Sequence, residues 1–315
     1  MRILITGSQG FIGQSVGHYA TRLGHTVLGI GRSSQPSHDW PGQYVQADVG
    51  QTDLSKIISQ FSPDTVIHAA GPASVQTSLR TPFDDFRGSV VAWANLLDSI
   101  RRSEVRPVVV CPSSAAVYGN PVQLPVSEEA PVVPISPYGF HKAACEWLAR
   151  EYAECFGLNL VICRLFSVFG ERQRRLLVWD LYTRLVGPEP VVWLEGTGEE
   201  VRDYLYVEEV VSAMLGLSAD RSSQASDGTY RVVNVAGGVP VMVRDLAQQL
   251  RTFLSSGKEI RCRGIARPGD PVRWWADISR LCTSVPSWEP QPMHERLRAC
   301  VDAWQANLER ASCEG

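Results

Sequence analysis

No apolar run in this 315-residue sequence approaches the roughly 20 residues that a membrane-spanning helix needs, although 44% of its residues are hydrophobic. Basic charge is not in excess either. Lys and Arg number 30 against 33 Asp and Glu, a net charge of −3, which excludes a general attraction to nucleic acid or to an anionic membrane. The eight cysteines (Cys111, Cys145, Cys155, Cys163, Cys262, Cys282, Cys300 and Cys313) include no Cys-x-x-Cys pair. That argues against a zinc site or a disulfide framework and leaves reduced thiols. The apolar stretch in Met1-Arg2-Ile3-Leu4-Ile5-Thr6-Gly7 is too short for a signal peptide. There is no internal repeat and no low-complexity tract. The expectation is a cytoplasmic protein with no metal, no membrane and no nucleic-acid partner, long enough for one large domain or two of ordinary size.

What is there begins at residue 3. Ile3-Leu4-Ile5 reads as a strand that ends abruptly in Gly7-Ser8-Gln9-Gly10-Phe11-Ile12-Gly13. Phe11, Ile12, Val16, Tyr19, Ala20 and Leu23 then recur at helical spacing. Strand, glycine-rich turn and helix in that order are the context in which a three-glycine pattern binds a dinucleotide. Gly7 permits the tight turn, Gly10 lets the backbone approach a pyrophosphate, and Gly13 lets helix and strand pack closely. The helix N-terminus, with Phe11 and Ile12, then faces the ligand's negative charge.

The next strand, Thr26 to Ile30, runs into Gly31-Arg32-Ser33-Ser34. An NAD-binding protein often carries an acid here for the ribose 2′-hydroxyl; this chain has Gly31, then Arg32 and hydroxyls. An arginine accommodates a 2′-phosphate, so Arg32 and Ser33 favour NADP(H) over NAD(H). The other reading of Arg32 is a guanidinium that stacks on adenine or points to solvent. Tyr44 to Val49 reads as a third strand, with Asp48 and Val49 placed for the adenine amino group. Thr65 to Gly71 reads as a fourth, whose small residues Ala69 and Ala70 suit close approach by a cofactor. His68 reads as a packed structural histidine. Phe83, Phe86, Val90, Trp93, Leu96, Leu97 and Ile100 mark one long amphipathic helix from about Pro82.

Val108 to Cys111 is a fifth strand, followed by Pro112-Ser113-Ser114-Ala115-Ala116-Val117-Tyr118-Gly119. Ligands of open parallel sheets sit outside the carboxyl ends of the strands, so Ser114 can reach the cofactor site. Ser136-Pro137-Tyr138-Gly139-Phe140-His141-Lys142 opens a helix on which Tyr138 and Lys142 lie one turn apart. An ammonium near a phenol favours the phenolate. A Tyr and Lys at this spacing also occur on ordinary wet helix faces. Beside a dinucleotide, however, a hydroxyl, a phenol and an ammonium are the equipment for proton transfer coupled to hydride transfer.

Gly7-x-x-Gly10-x-x-Gly13, Asp48-Val49, His68-Ala69-Ala70, Ser113-Ser114-x-x-Val117-Tyr118-Gly119 and Tyr138-x-x-x-Lys142 together resemble the extended short-chain dehydrogenase/reductases, in their nucleotide-sugar epimerase, dehydratase and reductase branch. The resemblance continues through Arg164 to Gly170, Gly196-Thr197-Gly198 with Arg202-Asp203-Tyr204, Asn234 to Gly237, and Arg267-Pro268-Gly269-Asp270. It implies an α/β fold: a Rossmann-type doubly wound parallel sheet from residues 1–170 and 205–236, and a smaller C-terminal α/β lobe for the substrate from 171–204 and 237–315. It implies Tyr138 as acid/base, Lys142 lowering its pKa and bonding the nicotinamide ribose, and Ser114 bonding the reacting oxygen. Ser74, Ser114, Ser167, Arg202, Arg267 and Asp270 become the substrate contacts, with the two arginines on a nucleoside diphosphate. The family's homodimers pair the long helices around Val90 and Tyr138.

Departures from the family narrow the chemistry. Ala115 and Ala116 stand where 4,6-dehydratases carry an acid, so elimination of water lacks its catalyst. Ser167 and Ser89 replace asparagines. Two reactions at sugar C4 remain, an NADPH-dependent 4-keto reduction and a 4-epimerisation with retained NAD. Arg32 and Gly31 tilt the sequence reading slightly to the reductase. A non-catalytic NADP-binding regulator is a third reading, opposed by the presence of Ser114, Tyr138 and Lys142 together. The basic run Arg172 to Arg175 reads equally as a solvated helix start or a substrate contact. Trp274 and Trp275 read as core or as lining of a base or sugar pocket.

Overall fold

Successive residues of the apolar runs point to opposite faces, as strand geometry requires, and here both faces are covered. Ile3 and Ile5 enter one core cluster while Leu4 enters another; Val108 and Val110 separate from Val109 and Cys111 in the same way. Strands buried on both faces are the mark of a parallel sheet sandwiched between helices. The structure, a computed structural model, describes residues 1–219, 228–265, 269 and 271–313. Its strands are β1 (Arg2–Thr6), β2 (Thr26–Gly31), β3 (Gln43–Gln46), β4 (Thr65–His68), β5 (Val108–Ser114), β6 (Asn159–Leu165), β7 (Ser167–Phe169), β8 (Val191–Leu194), β9 (Val201–Tyr206), β10 (Tyr230–Val235), β11 (Pro240–Met242) and β12 (Glu259–Cys262).

Seven of them form one sheet in the order β10-β6-β5-β4-β1-β2-β3, every pair parallel. This is the Rossmann doubly wound arrangement, and the strand order reverses between β1 and β4, where such sheets bind their ligands. Helices Phe11–Arg22 and Val207–Ala219 cover one face. Helices Ser55–Phe61, Ala92–Arg102 and Pro137–Phe156 cover the other. Outside this sheet, β9 pairs in parallel with β7 and antiparallel with β11, and β8 pairs with β12. Helices Leu176–Val186, Val243–Phe253 and Met293–Cys313 pack on that second group around Tyr182, Tyr204, Leu246 and Trp304.

Three boundaries differ from the sequence reading, each for a local reason. β3 stops at Gln46, so Asp48 and Val49 lie in the turn beyond it, where Asp48 Oδ1 accepts the Gly50 N–H at 2.9 Å. The long helix near Val90 is interrupted by a π-helical turn at Arg87–Val91 between Pro82–Phe86 and Ala92–Arg102. Such turns are rare inside helices and frequent at functional sites. β5 extends to Ser114, because all seven of its residues pair with β6.

Candidate active site

The loop after β1 is built around contacts that only glycine tolerates. Gly7 has φ +66°, and a Cβ there would stand 2.5 Å from the Ala70 nitrogen and 2.6 Å from the Ala69 carbonyl oxygen. A Cβ on Gly13 would lie 2.2 Å from the Gly7 oxygen. The helix Phe11–Arg22 starts at Gly10 without a side-chain cap, so the N–H groups of its first turn face outward at the carboxyl end of β1. A cradle of bare backbone at a helix N-terminus fits a pyrophosphate, and Ala69 and Ala70 press against the same loop from the end of β4.

At the end of β2, Tyr44 explains the missing acid. A Cβ on Gly31 would meet the Tyr44 Oη at 2.9 Å, and that hydroxyl donates to the Ser33 carbonyl at 2.7 Å. Gln46 Nε2 donates to the Arg32 carbonyl at 3.1 Å. The side chains of this pair thus hold the backbone of the 31–33 turn. Arg32 and Ser33 are both exposed, and Arg32 makes no ion pair among the described residues.

Helix Pro137–Phe156 has a complete start signal: Ser136 Oγ accepts the Gly139 N–H at 3.2 Å, Pro137 occupies the first turn, and Gly157 ends the helix in the left-handed region. Gly139 permits the close approach that matters for chemistry, since a Cβ there would lie 2.6 Å from the Ala116 oxygen. The first turn of this helix is therefore pressed against the loop that follows Ser114. Ser114 is half-buried and its Oγ accepts the Ala116 N–H at 3.1 Å. Tyr138 is half-buried, with its N–H donating to Ser78 Oγ at 3.1 Å. Lys142 Nζ donates to the Pro112 carbonyl at 3.0 Å and stands 5.8 Å from the Tyr138 ring centroid. Burial works against the Lys142 ammonium, but the negative charge available at Tyr138, Cys111, Cys145 and Asp85 outweighs it and its pKa is raised. Lys142 is thus tied to β5 two residues before Ser114, with the Tyr138 ring beside it.

The expected substrate contacts are more dispersed. Ser74 caps the short helix Val75–Arg80, its Oγ accepting the Thr77 N–H at 3.1 Å. Ser167 opens β7 and pairs with Tyr204 of β9. Arg202 Nη1 donates to the Val201 carbonyl at 2.9 Å, and its guanidinium lies 5.5 Å from the Trp274 ring. Trp274 stands edge-on to Phe166, so it belongs to the aromatic packing of this wall. Arg267 and Asp270 lie outside the described residues. Of the basic run, Arg172 is ion-paired with Asp39 and Arg174 covers the Trp179 ring. A cavity of about 590 Å³ between Phe169, Tyr204, Tyr206, Val241, Met293 and Arg296 touches none of Ser114, Tyr138 or Lys142.

Several buried polar residues make contacts to which the sequence assigns no role. Buried Glu146 takes hydrogen bonds from Ser113 and Arg164. Asp203 is fully buried and accepts the N–H groups of Gly237, Gly238 and Ala276 at 2.7, 2.9 and 3.1 Å. Burial pushes its carboxyl up to about 6 despite those donors. His141 Nδ1 lies 2.6 Å from buried Asp85. A signal existed for the first of these: Arg164 interrupts the apolar run Leu160 to Phe166, and a charge inside a buried strand demands a partner.

A sequence model of the NAD dependent epimerase/dehydratase family matches residues 3–236. UDP-glucose 4-epimerase of Mycolicibacterium smegmatis is 30% identical over 92% of this chain and 94% of its own length. Among solved structures, the UDP-N-acetylglucosamine 4-epimerase of Methanobrevibacter ruminantium is 30% identical, covers 98% of both chains and superposes with a TM-score of 0.84. MoeE5 in complex with UDP-glucose and NAD is 25% identical over 98% of this chain and all of its own, with a TM-score of 0.87. These findings correct the cofactor expectation. The similar structure holds NAD, and the preference for NADP(H) read from Gly31 and Arg32 is overturned. Gly31 is small because Tyr44 fills the space, not because a phosphate does, and a solvent-facing arginine by itself selects neither dinucleotide. No helix among the described residues is long and apolar enough to cross a membrane.

Proposed function

This chain belongs to the NAD dependent epimerase/dehydratase family, extended short-chain dehydrogenase/reductases that are enzymes of nucleotide sugars, and on that premise we propose that it is a nucleotide-diphosphate-sugar 4-epimerase working with retained NAD. The observation that carries the proposal is the complete Ser114, Tyr138 and Lys142 set in a chain similar along nearly its full length to UDP-sugar 4-epimerases. It replaces the 4-ketoreductase that Arg32 favoured in the sequence.

Tyr138 takes the proton of the C4 hydroxyl as that carbon is oxidised, and returns a proton to the same oxygen once the ketone has presented its other face. Lys142 keeps a positive charge beside the oxyanion that Tyr138 forms, and its own bond to the Pro112 carbonyl fixes where that charge sits. Ser114 holds the reacting oxygen by a hydrogen bond. When bound, NAD supplies the acceptor and donor of the C4 hydride. Gly7, Gly10, Phe11, Ile12 and Gly13 would hold its pyrophosphate, Asp48 and Val49 its adenine, Arg32 and Ser33 the adenosine ribose, and Ala69, Ala70, Tyr138 and Lys142 the nicotinamide end. Ala115 and Ala116 are buried, and these two positions offer no acid to expel a hydroxyl as water.

The substrate's diphosphate falls to Arg202 and the loop at Ser167, with Arg267 and Asp270 beyond the described residues, and Ser74 is a further substrate contact. The substrate lobe is assigned to residues 171–204 and 237–315. A homodimer fits the surface of the paired helices, where Phe83, Phe140 and Trp147 are exposed at 69%, 59% and 68%. The test is to mix the purified protein with UDP-glucose, UDP-glucuronic acid and UDP-N-acetylglucosamine, adding no cofactor, and follow the sugars by NMR. Appearance of a 4-epimer supports the reading. Turnover only with added NADPH and a 4-keto sugar would replace it with the reductase.

A further inference from the structure

Glu146 and Arg164 are a charged pair with side chains only 6% and 5% exposed, and neither has a part in the chemistry above. Their bonds close a ring around the catalytic strand end. Glu146 Oε1 accepts from Ser113 Oγ at 2.6 Å and from Arg164 Nε at 3.1 Å; Glu146 Oε2 accepts from Arg164 Nη2 at 2.7 Å. Arg164 belongs to β6 and is the residue paired with Ser113 of β5. Strand, neighbouring strand and helix are thus tied at one point.

That point lies between the groups that must align. Lys142 bonds the Pro112 carbonyl and Glu146, one turn later, bonds Ser113, so consecutive turns of one helix grip consecutive residues immediately before Ser114. Beyond Ser114 the same arginine takes hold again. Arg164 Nη1 donates to Tyr118 Oη at 2.9 Å and to the Glu128 carbonyl at 3.2 Å, and the Tyr118 hydroxyl donates to Asn234 Oδ1 at 2.6 Å. Tyr118 ends the 3-10 turn Ala115–Tyr118 that Ser114 caps. Ser114 is therefore held from both sides by one guanidinium–carboxylate unit, which also anchors the helix bearing Tyr138 and Lys142.

An apolar core could seal this space at least as stably, because replacing a buried ion pair by well-packed hydrophobic residues is often neutral or stabilising. Forked, directional bonds add a geometric specificity that apolar contacts, being non-directional, lack. We propose that Glu146, acting with Arg164, is the positioning residue that sets the alignment of Ser114 with Tyr138 and Lys142. The inference rests on the catalytic roles assigned above.

The test compares wild type with the charge-free double variant Glu146→Met/Arg164→Met, and with Ser113→Ala, which removes only one tether. Two readouts are taken: kcat and KM for the epimerised sugar, and amide hydrogen exchange over residues 114–118. The double variant is expected to keep its melting temperature while kcat falls by about 100-fold, the scale of a 1 Å misplacement. KM should stay within about threefold, because neither Glu146 nor Arg164 is among the proposed diphosphate contacts, and exchange at 114–118 should quicken. Ser113→Ala should lose about tenfold in kcat, the low end for a hydrogen bond to a charged group, and it decides the matter if the double variant does not fold. A kcat within threefold of wild type, or a fall in kcat with exchange at 114–118 unchanged, overturns the proposal. If the wild type epimerises no nucleotide sugar, the functional reading fails on its own; exchange at 114–118 then judges the clamp alone, and unchanged exchange overturns it.

Discussion

His68 makes the chain sensitive to acid by an amount that can be worked out. Its ring is buried at the end of β4, with Nδ1 2.8 Å from Thr6 Oγ1 and the ring centroid 4.8 Å from Trp93. Burial first, and then the charge of Lys142, hold its pKa down to about 3 against an ordinary 6.5. The folded state therefore binds fewer protons than the unfolded state between those two values. Stability from this group is complete above pH 6.5 and is lost as pH falls towards 3. Each pH unit inside that window costs about 1.4 kcal/mol. At pH 5 the loss is about 2 kcal/mol, a figure that requires only that the folded pKa lie well below 5. Against a total stability of about 5–15 kcal/mol, that is a large share. The assay is urea unfolding of wild type and His68→Gln at pH 7 and pH 5. Carboxylates contribute equally to both proteins, so the difference between the two pH dependences isolates His68. The variant should lose about 2 kcal/mol less than wild type on going to pH 5. Identical pH dependences would refute the reasoning.

Three further outcomes follow from the site. Gly13→Ala forces a Cβ against the Gly7 backbone, where nothing flexible can yield, and overpacking of that kind costs about 1–3 kcal/mol. The variant should purify with less bound dinucleotide than wild type, measured by absorbance after denaturation; full retention would count against the cradle. Tyr138→Phe should cut kcat by about 10²–10⁴-fold with dinucleotide still bound, in line with the loss of a general acid/base. Wild-type turnover would remove Tyr138 from its assigned role. Trp147→Glu places a charge on the exposed helix face and should convert a dimer to a monomer in light scattering, whereas an unchanged mass would move the interface elsewhere.

The parts of the site that were legible in the sequence are those whose constraint is local. Gly7, Gly10 and Gly13 sit between a strand and a helix that the apolar spacing marks, and Tyr138 and Lys142 share a face simply because they are four apart. Ser136 and Pro137 announce the helix that carries them. What stayed hidden depends on pairs distant along the chain. Glu146 and Arg164 meet only because the helix Pro137–Phe156 packs against β6, and Asp203 gathers amides from two separate segments near Gly237 and Ala276. The apolar spacing of the sequence runs on through Arg87–Val91, so it does not announce the π-helical turn there. The cofactor was misread for a related reason. Gly31 looked like a lost acid, and only the packing of Tyr44 from the adjacent strand shows what occupies its space.

The central claim is that one retained dinucleotide takes hydride from sugar C4 and gives it back to the same carbon. The most direct measurement uses the sugar epimerised in the NMR assay, carrying deuterium at C4, with the purified protein and no added cofactor. The account predicts a 4-epimer that keeps its deuterium at C4 and a protein whose released dinucleotide is NAD in undiminished amount. Deuterium lost to the cofactor pool, or conversion that stops after one equivalent until NADPH is supplied, would contradict it.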